Sequence, residues 1–173
     1  MSDSFTVDLQ TLTSFIQCAA PGYDPHYDSQ RELAEERKSI YRIVLSSVDI
    51  YILPTVEEEY MKISNTGLKN LHESTSIVNF TDIKITDKLK RENIKNKLKE
   101  KHKKENDCYA VAEAEIGKMD YFLTFDKDLK KNLKGETILK IIYPSEYWMY
   151  LENLNIDPKI VPYESNPKSK EEW

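Results

Sequence analysis

The chain has 173 residues, enough for one domain with a sizeable core, and its 25 basic against 30 acidic side chains leave a net charge of −5. Its four glycines, Gly22, Gly67, Gly117 and Gly135, lie too far apart for a G-x-G-x-x-G turn or a G-x-x-x-x-G-K phosphate loop. Three scattered histidines (His26, His72, His102) and two lone cysteines (Cys18, Cys108) exclude HExxH, make a His-rich zinc site improbable and offer no disulfide framework, so carboxylates are left to carry any chemistry.

The N-terminal run MSDSFTVDLQ has no basic stretch and no long apolar segment, and no run elsewhere approaches ~18 apolar residues. The expectation is a cytoplasmic protein with free thiols and no membrane partner. Residues 5–7 favour a strand. Leu9, Leu12, Phe15, Ile16 and Ala19 then recur at helical spacing, so the strand gives way to a helix at Asp8. Pro21, Gly22 and Pro25 mark a loop, and Ser29 with Glu32 forms a capping box for a helix running to about Ser46. The run VDIYIL, 48–53, reads as a buried strand ended by Pro54. A helix from about Thr55 through Val56, Tyr60 and Ile63 follows.

Residues 68–73 suit a short helix, and 74–85 favour no one structure. Residues 86–105 are Lys-rich and predict a solvated helix. Asp107 opens a helix whose inner face is Ala110, Val111 and Ala114, ending at Gly117. A strand at 121–125, a short helix through Leu129 and Leu133, a strand at 137–143 and an aromatic helix from Pro144 complete a domain over 1–152. Residues 153–173 read as a tail. Strands alternating with helices predict a three-layer α/β/α sandwich with a mostly parallel central sheet.

In such sheets, sites form beyond the carboxyl ends of the strands. Asp8 and Asp126 follow predicted strands, while Asp107 and a Glu within 57–59 fall in first turns of helices starting at that edge. Each acid also has a plainer reading. Asp8 would cap the helix from Leu9, and Asp107 would complement a helix dipole. Thr55 and Glu58 make a T-x-x-E capping box, which gives Glu58 a structural task and leaves Glu59, beside the Val56/Tyr60/Ile63 face, as the favoured site residue. Asp128 is either an extra acid or a solvated charge, Asp120 a turn cap, and Glu113 and Glu115 solvated faces. Tyr147, Trp148 and Tyr150 read as core or subunit contacts. Lys95, Lys99, Lys103 and Lys104 are either a solvated helix face or a contact surface for a phosphate backbone.

The segment DCYAVAEAEIGKMDYFLTFDKDL, 107–129, resembles the second half of a PIN domain, the PilT N-terminus ribonuclease family. The match is an Asp-led helix with small residues, then a strand ending in the T-x-D of Thr124 and Asp126. FTVD, LPTVEEEY and IIYPSEYWMYL are similar to the family's first strand, second strand with its Glu-bearing helix, and last strand and helix, so the resemblance spans about 4–151. It implies a PIN-like fold and a ribonuclease dependent on Mg²⁺ or Mn²⁺, with Asp8, Asp107 and Asp126 as metal ligands. Glu59 would bind a second ion or orient water, with Thr124, Asp128 and Glu58 in support. The chemistry is consistent, since clustered carboxylates need a cation and a hard divalent ion activates water and clamps phosphate oxygens. RNA is the implied substrate. An antitoxin protein or a second copy of the chain is a further expected partner. Asp8 is followed by Leu9-Gln10-Thr11, where the family usually has Thr or Ser and then Asn or Ser. A PIN-like RNA- or protein-binding module without turnover is therefore the second reading.

Overall fold

A computed structural model describes residues 3–24, 31–46 and 48–153. The Ser29 half of the expected capping box and everything beyond Asn153, including the expected tail, lie outside them. Thirteen elements are described: β1 (Ser4–Val7), α1 (Leu9–Ala19), α2 (Arg31–Leu45), β2 (Asp49–Ile52), α3 (Pro54–Met61), α4 (Thr66–Asn79), β3 (Thr81–Asp82), α5 (Lys88–Lys99), α6 (Glu105–Ile116), β4 (Tyr121–Leu123), α7 (Lys127–Leu133), β5 (Lys140–Ile142) and α8 (Pro144–Asn153).

The five strands form one sheet in the order β3-β2-β1-β4-β5, and every pairing is parallel. A parallel sheet needs helices on both faces, which explains why its central strands are apolar on both sides. Phe5 and Val7 of β1 and Phe122 and Leu123 of β4 are fully buried. The architecture is a three-layer α/β/α sandwich. Helix α2 packs against α1 and α8, α6 against α5 and α3, and α4 against α1 and α3.

The chain runs outward from β1 through β2 to β3, then crosses back to place β4 on the other side of β1. Strands β1 and β4 therefore flank the point where strand order reverses, and a crevice opens beyond their carboxyl ends. Their register is Phe5 to Tyr121, Thr6 to Phe122 and Val7 to Leu123. The Asp8 amide extends it by donating to the Leu123 carbonyl at 3.4 Å. Asp8 and Thr124 thus leave the sheet side by side.

Four expectations need correction. The sheet has a fifth strand, β3, within the stretch that favoured no structure, and the short helix expected at 68–73 extends over Thr66–Asn79, with Asn65 capping it by accepting from the Leu68 amide. The Thr55–Glu58 capping box does not form. Pro54 occupies the first turn of α3, and the Thr55 amide and hydroxyl both donate to the Glu113 carboxylate, at 3.0 and 2.8 Å. Glu113 is consequently not on a solvated face. It is fully buried and paired with Arg91 of α5 at 2.7 Å.

Candidate active site

Four carboxylates from four segments line one cleft of about 520 Å³ at the switch point: Asp8, Glu59, Asp107 and Asp126. Helices α1 and α2 add a further part of the wall, with Gln10, Thr13, Gln17 and Arg37 as its polar residues beside Ser14. Each acid is placed by backbone logic. Asp8 follows β1 and caps α1, accepting from the Thr11 amide at 2.7 Å. Asp126 follows β4 and caps α7, accepting from the amides of Asp128 and Leu129 at 2.8 and 3.0 Å. Asp107 stands in the first turn of α6. Helix N-termini carry partial positive charge, which favours carboxylates there. For Asp8, the capping role and the place in the cleft coexist.

Side chains link the acids into a chain. The Thr124 hydroxyl donates to Asp8 Oδ2 and accepts from the Asp126 amide at 2.9 Å. Thr124, the residue directly after β4, thus supplies a hydroxyl partner to Asp8. Lys104 Nζ donates to Asp126 Oδ2 at 2.6 Å and stands 3.9 Å from Asp107 Oδ2. The buried His102 ring meets Asp107 Oδ2 through Nε2 at 2.7 Å, while its Nδ1 lies 3.3 Å from the Asn132 amide nitrogen. A carboxylate only accepts, so Nε2 carries the proton in that bond. Glu59 accepts from Asn106 Nδ2 at 2.8 Å.

The charges respond to one another. Burial pushes the Asp8 carboxyl up to about 6. The Thr124 and Thr11 contacts oppose the shift and the nearby Asp107 adds to it. Burial also raises Glu59, again with help from Asp107. Burial acts to raise Asp126 too, but the Lys104 ammonium and two helix amides outweigh it and hold the carboxyl below its ordinary value.

Other expected residues fall elsewhere. Glu58 and Asp128 are exposed and outside the cleft lining, and only the backbone amide of Asp128 reaches Asp126. Asp120 lies at the opposite end of the sheet, accepting from the Ser4 amide and hydroxyl at 2.9 and 2.8 Å. Of the expected backbone-binding lysines, Lys95 needs correction. Its side chain is 8% exposed, paired with Glu92 and Glu105 at 3.0 and 3.3 Å, and seated over the Tyr109 ring. Lys99 pairs with Glu105 at 3.0 Å, Lys103 is exposed, and Lys104 enters the cleft itself. Tyr147 and Trp148 are buried, whereas Tyr150 is exposed.

His102, Asn106, Arg37 and the α1 polar wall are additions to the sequence reading. The signal for His102 was its place five residues before Asp107, which matters only once the loop between α5 and α6 folds back. No family model matches the chain, and no curated protein matches it. Among the described residues, no three His, Cys, Asp or Glu side chains are gathered as a ready-made metal group. Each of the four acids has a hydrogen-bond partner of its own within the chain. The donors are nonetheless all hard oxygens, and the cluster holds a cation, the Lys104 ammonium, against Asp126. By donor chemistry the set fits Mg²⁺ or Mn²⁺ rather than a softer metal.

Proposed function

We propose that the chain is a cytoplasmic PIN-type endoribonuclease that hydrolyses RNA phosphodiester bonds with Mg²⁺ or Mn²⁺. The observation that carries this reading is the convergence of Asp8, Glu59, Asp107 and Asp126 on one cleft at the switch point of a parallel sheet. Asp8, Asp107 and Asp126 would hold the ion, which when bound supplies an activated water and a clamp on the phosphate. Thr124 orients Asp8 and ties it to the Asp126 backbone. His102 fixes the Asp107 carboxylate through Oδ2. Glu59, nearer its neutral form than an ordinary carboxylate, is suited to accept a proton from an attacking water. Gln10 and Gln17 of α1 offer side-chain amides to a single strand, while the Thr13 hydroxyl beside them is held by His72 at 2.8 Å.

The resemblance over 107–129 supports the same reading, since Asp107, Thr124 and Asp126 are its most specific residues and lie together here. A non-catalytic RNA- or protein-binding module is favoured by one observation, that the acids are satisfied by the chain's own donors. The deciding assay is cleavage of single-stranded RNA by the purified protein in Mn²⁺ or EDTA, beside Asp107→Asn. Mn²⁺-dependent cleavage that drops at least 100-fold in the variant is expected. Cleavage undiminished by the substitution overturns the assignment, and no cleavage by either protein leaves the binding module.

A further inference from the structure

The groups that satisfy the four acids differ in their freedom to move. Thr124 is fully buried on the sheet edge, and His102 is 3% exposed. The Thr11, Asp128 and Leu129 amides are helix backbone. Lys104 is different. Its side chain is 63% exposed, it stands at the N-cap of α6 without capping the helix through its side chain, and a flexible four-carbon stem carries its charge. It is also the lysine that touches two of the expected metal ligands, Asp126 at 2.6 Å and Asp107 at 3.9 Å. An ammonium and a divalent ion seek the same oxygens, so they cannot both be in full contact with Asp126 Oδ2 and Asp107 Oδ2.

We infer that Lys104 is an exchangeable counter-ion: its ammonium holds Asp126 and Asp107 until a divalent cation is taken up, then turns out to bind a phosphate of the RNA strand in the cleft. This rests on the nuclease reading and adds to it a residue that couples metal uptake to substrate binding. The exchange conserves charge contacts. The two carboxylates trade one cation for another, and the released ammonium finds the strongest remaining anion in the cleft mouth, a phosphodiester oxygen. Asp107 keeps its His102 bond throughout, because that ring is buried and held on its far side by Asn132.

The distinguishing signature is a pair of effects with opposite signs. In Lys104→Met, nothing competes for the acids, so Mn²⁺ binds tighter, by about 2- to 10-fold given what an exposed ion pair contributes. The same variant binds RNA more weakly, by a similar factor. Lys103→Met is the control for through-space charge, because Lys103 is an exposed neighbour on the same loop. Mn²⁺ affinity is read from the spin-resonance signal of free Mn²⁺ during titration. RNA affinity is read from the anisotropy of a labelled single-stranded oligoribonucleotide in Ca²⁺. Tighter Mn²⁺ and weaker RNA binding in Lys104→Met, with a clearly smaller metal effect in Lys103→Met, support the exchange. Equal Mn²⁺ affinity in wild type and Lys104→Met overturns the exchange while leaving the nuclease reading intact. Equal tightening in both variants also overturns it, because that is the effect of charge alone. Tighter Mn²⁺ with unchanged RNA affinity overturns the phosphate role. Absence of Mn²⁺ binding in every protein overturns the nuclease reading and the exchange together.

Discussion

Asp8 serves two purposes that pull against each other. It caps α1 through the Thr11 amide, which an ionised carboxylate does well, yet burial pushes its carboxyl up to about 6. A carboxyl whose folded value exceeds its unfolded one adds stability below about pH 4, and that stability is lost as the pH rises through about 6. In EDTA, Asp8→Asn should therefore gain stability relative to wild type as the pH is raised from 4 to 7, by about 1–3 kcal/mol at pH 7. Thermal melts of both proteins across that range measure it, and a constant difference would show that Asp8 titrates as an ordinary exposed acid. Thr124 is the other residue on which the site turns, since its one oxygen donates to Asp8 and accepts from the Asp126 amide. Thr124→Val removes both bonds at constant shape. It should cost about 1–3 kcal/mol of stability and move the acid limb of any pH–activity profile upward. Thr124→Ser should restore both. Equal behaviour of the Val and Ser variants would remove the hydroxyl from the account.

At the scale of elements, α6 explains what the sequence conceals. Its alanines admit close neighbours, and Cys108, Ala110, Val111, Ala112, Glu113 and Ala114 are all buried. A helix buried around most of its circumference is covered on more than one side, here by α3 and α5. Glu113 reads as solvated in the sequence because its burial depends on α5, whose own composition is that of a solvated helix. In the fold, Arg91 and Thr55 reach it from two different elements and join α3, α5 and α6. Glu113→Gln should then destabilise the protein by about 2–4 kcal/mol, and a double-mutant cycle with Arg91→Met should show strong coupling. A loss under 0.5 kcal/mol would mean that the network is incidental. The strands β1, β2, β4 and β5 were legible because apolar runs bounded by Asp, Pro or Gly leave few alternatives. Strand β3 was not, since it has two exposed residues, Thr81 and Asp82, and exists only because Tyr51 and Ile52 offer it a partner. The acids of the cleft were legible for a related reason. Asp8, Asp107 and Asp126 directly follow a strand or open a helix, so topology brings them to one edge, whereas Glu59 lies in the second turn of α3 and was placed by the apolar face beside it. Lys95 and Lys104 were not separable by sequence, because their different fates depend on which helix packs over them.

For the whole molecule, the net charge of −5 becomes a statement about linkage. Folding concentrates four acids in one cleft, where burial, with a lesser push from Asp107, raises both Asp8 and Glu59. The unfolded chain has no such concentration, so a divalent ion should bind the folded state far better and stabilise it by mass action. At a concentration about 100 times its dissociation constant, that stabilisation is about 2.7 kcal/mol. For a chain of this size it corresponds to a rise of roughly 5–10 °C in the melting temperature. The rise should be saturable in Mn²⁺, reversed by EDTA and absent in Asp107→Asn. Ordinary salt of matched ionic strength should not reproduce it, because screening acts on all 55 formal charges (25 + 30) whereas a bound ion acts at the cleft. Asp8→Asn provides the internal check. It is expected to be the more stable protein in EDTA at pH 7 and the less responsive one in Mn²⁺, so the two melting curves should converge as the metal is added. Curves that stay parallel would show that Asp8 is a buried acid with no part in holding a cation.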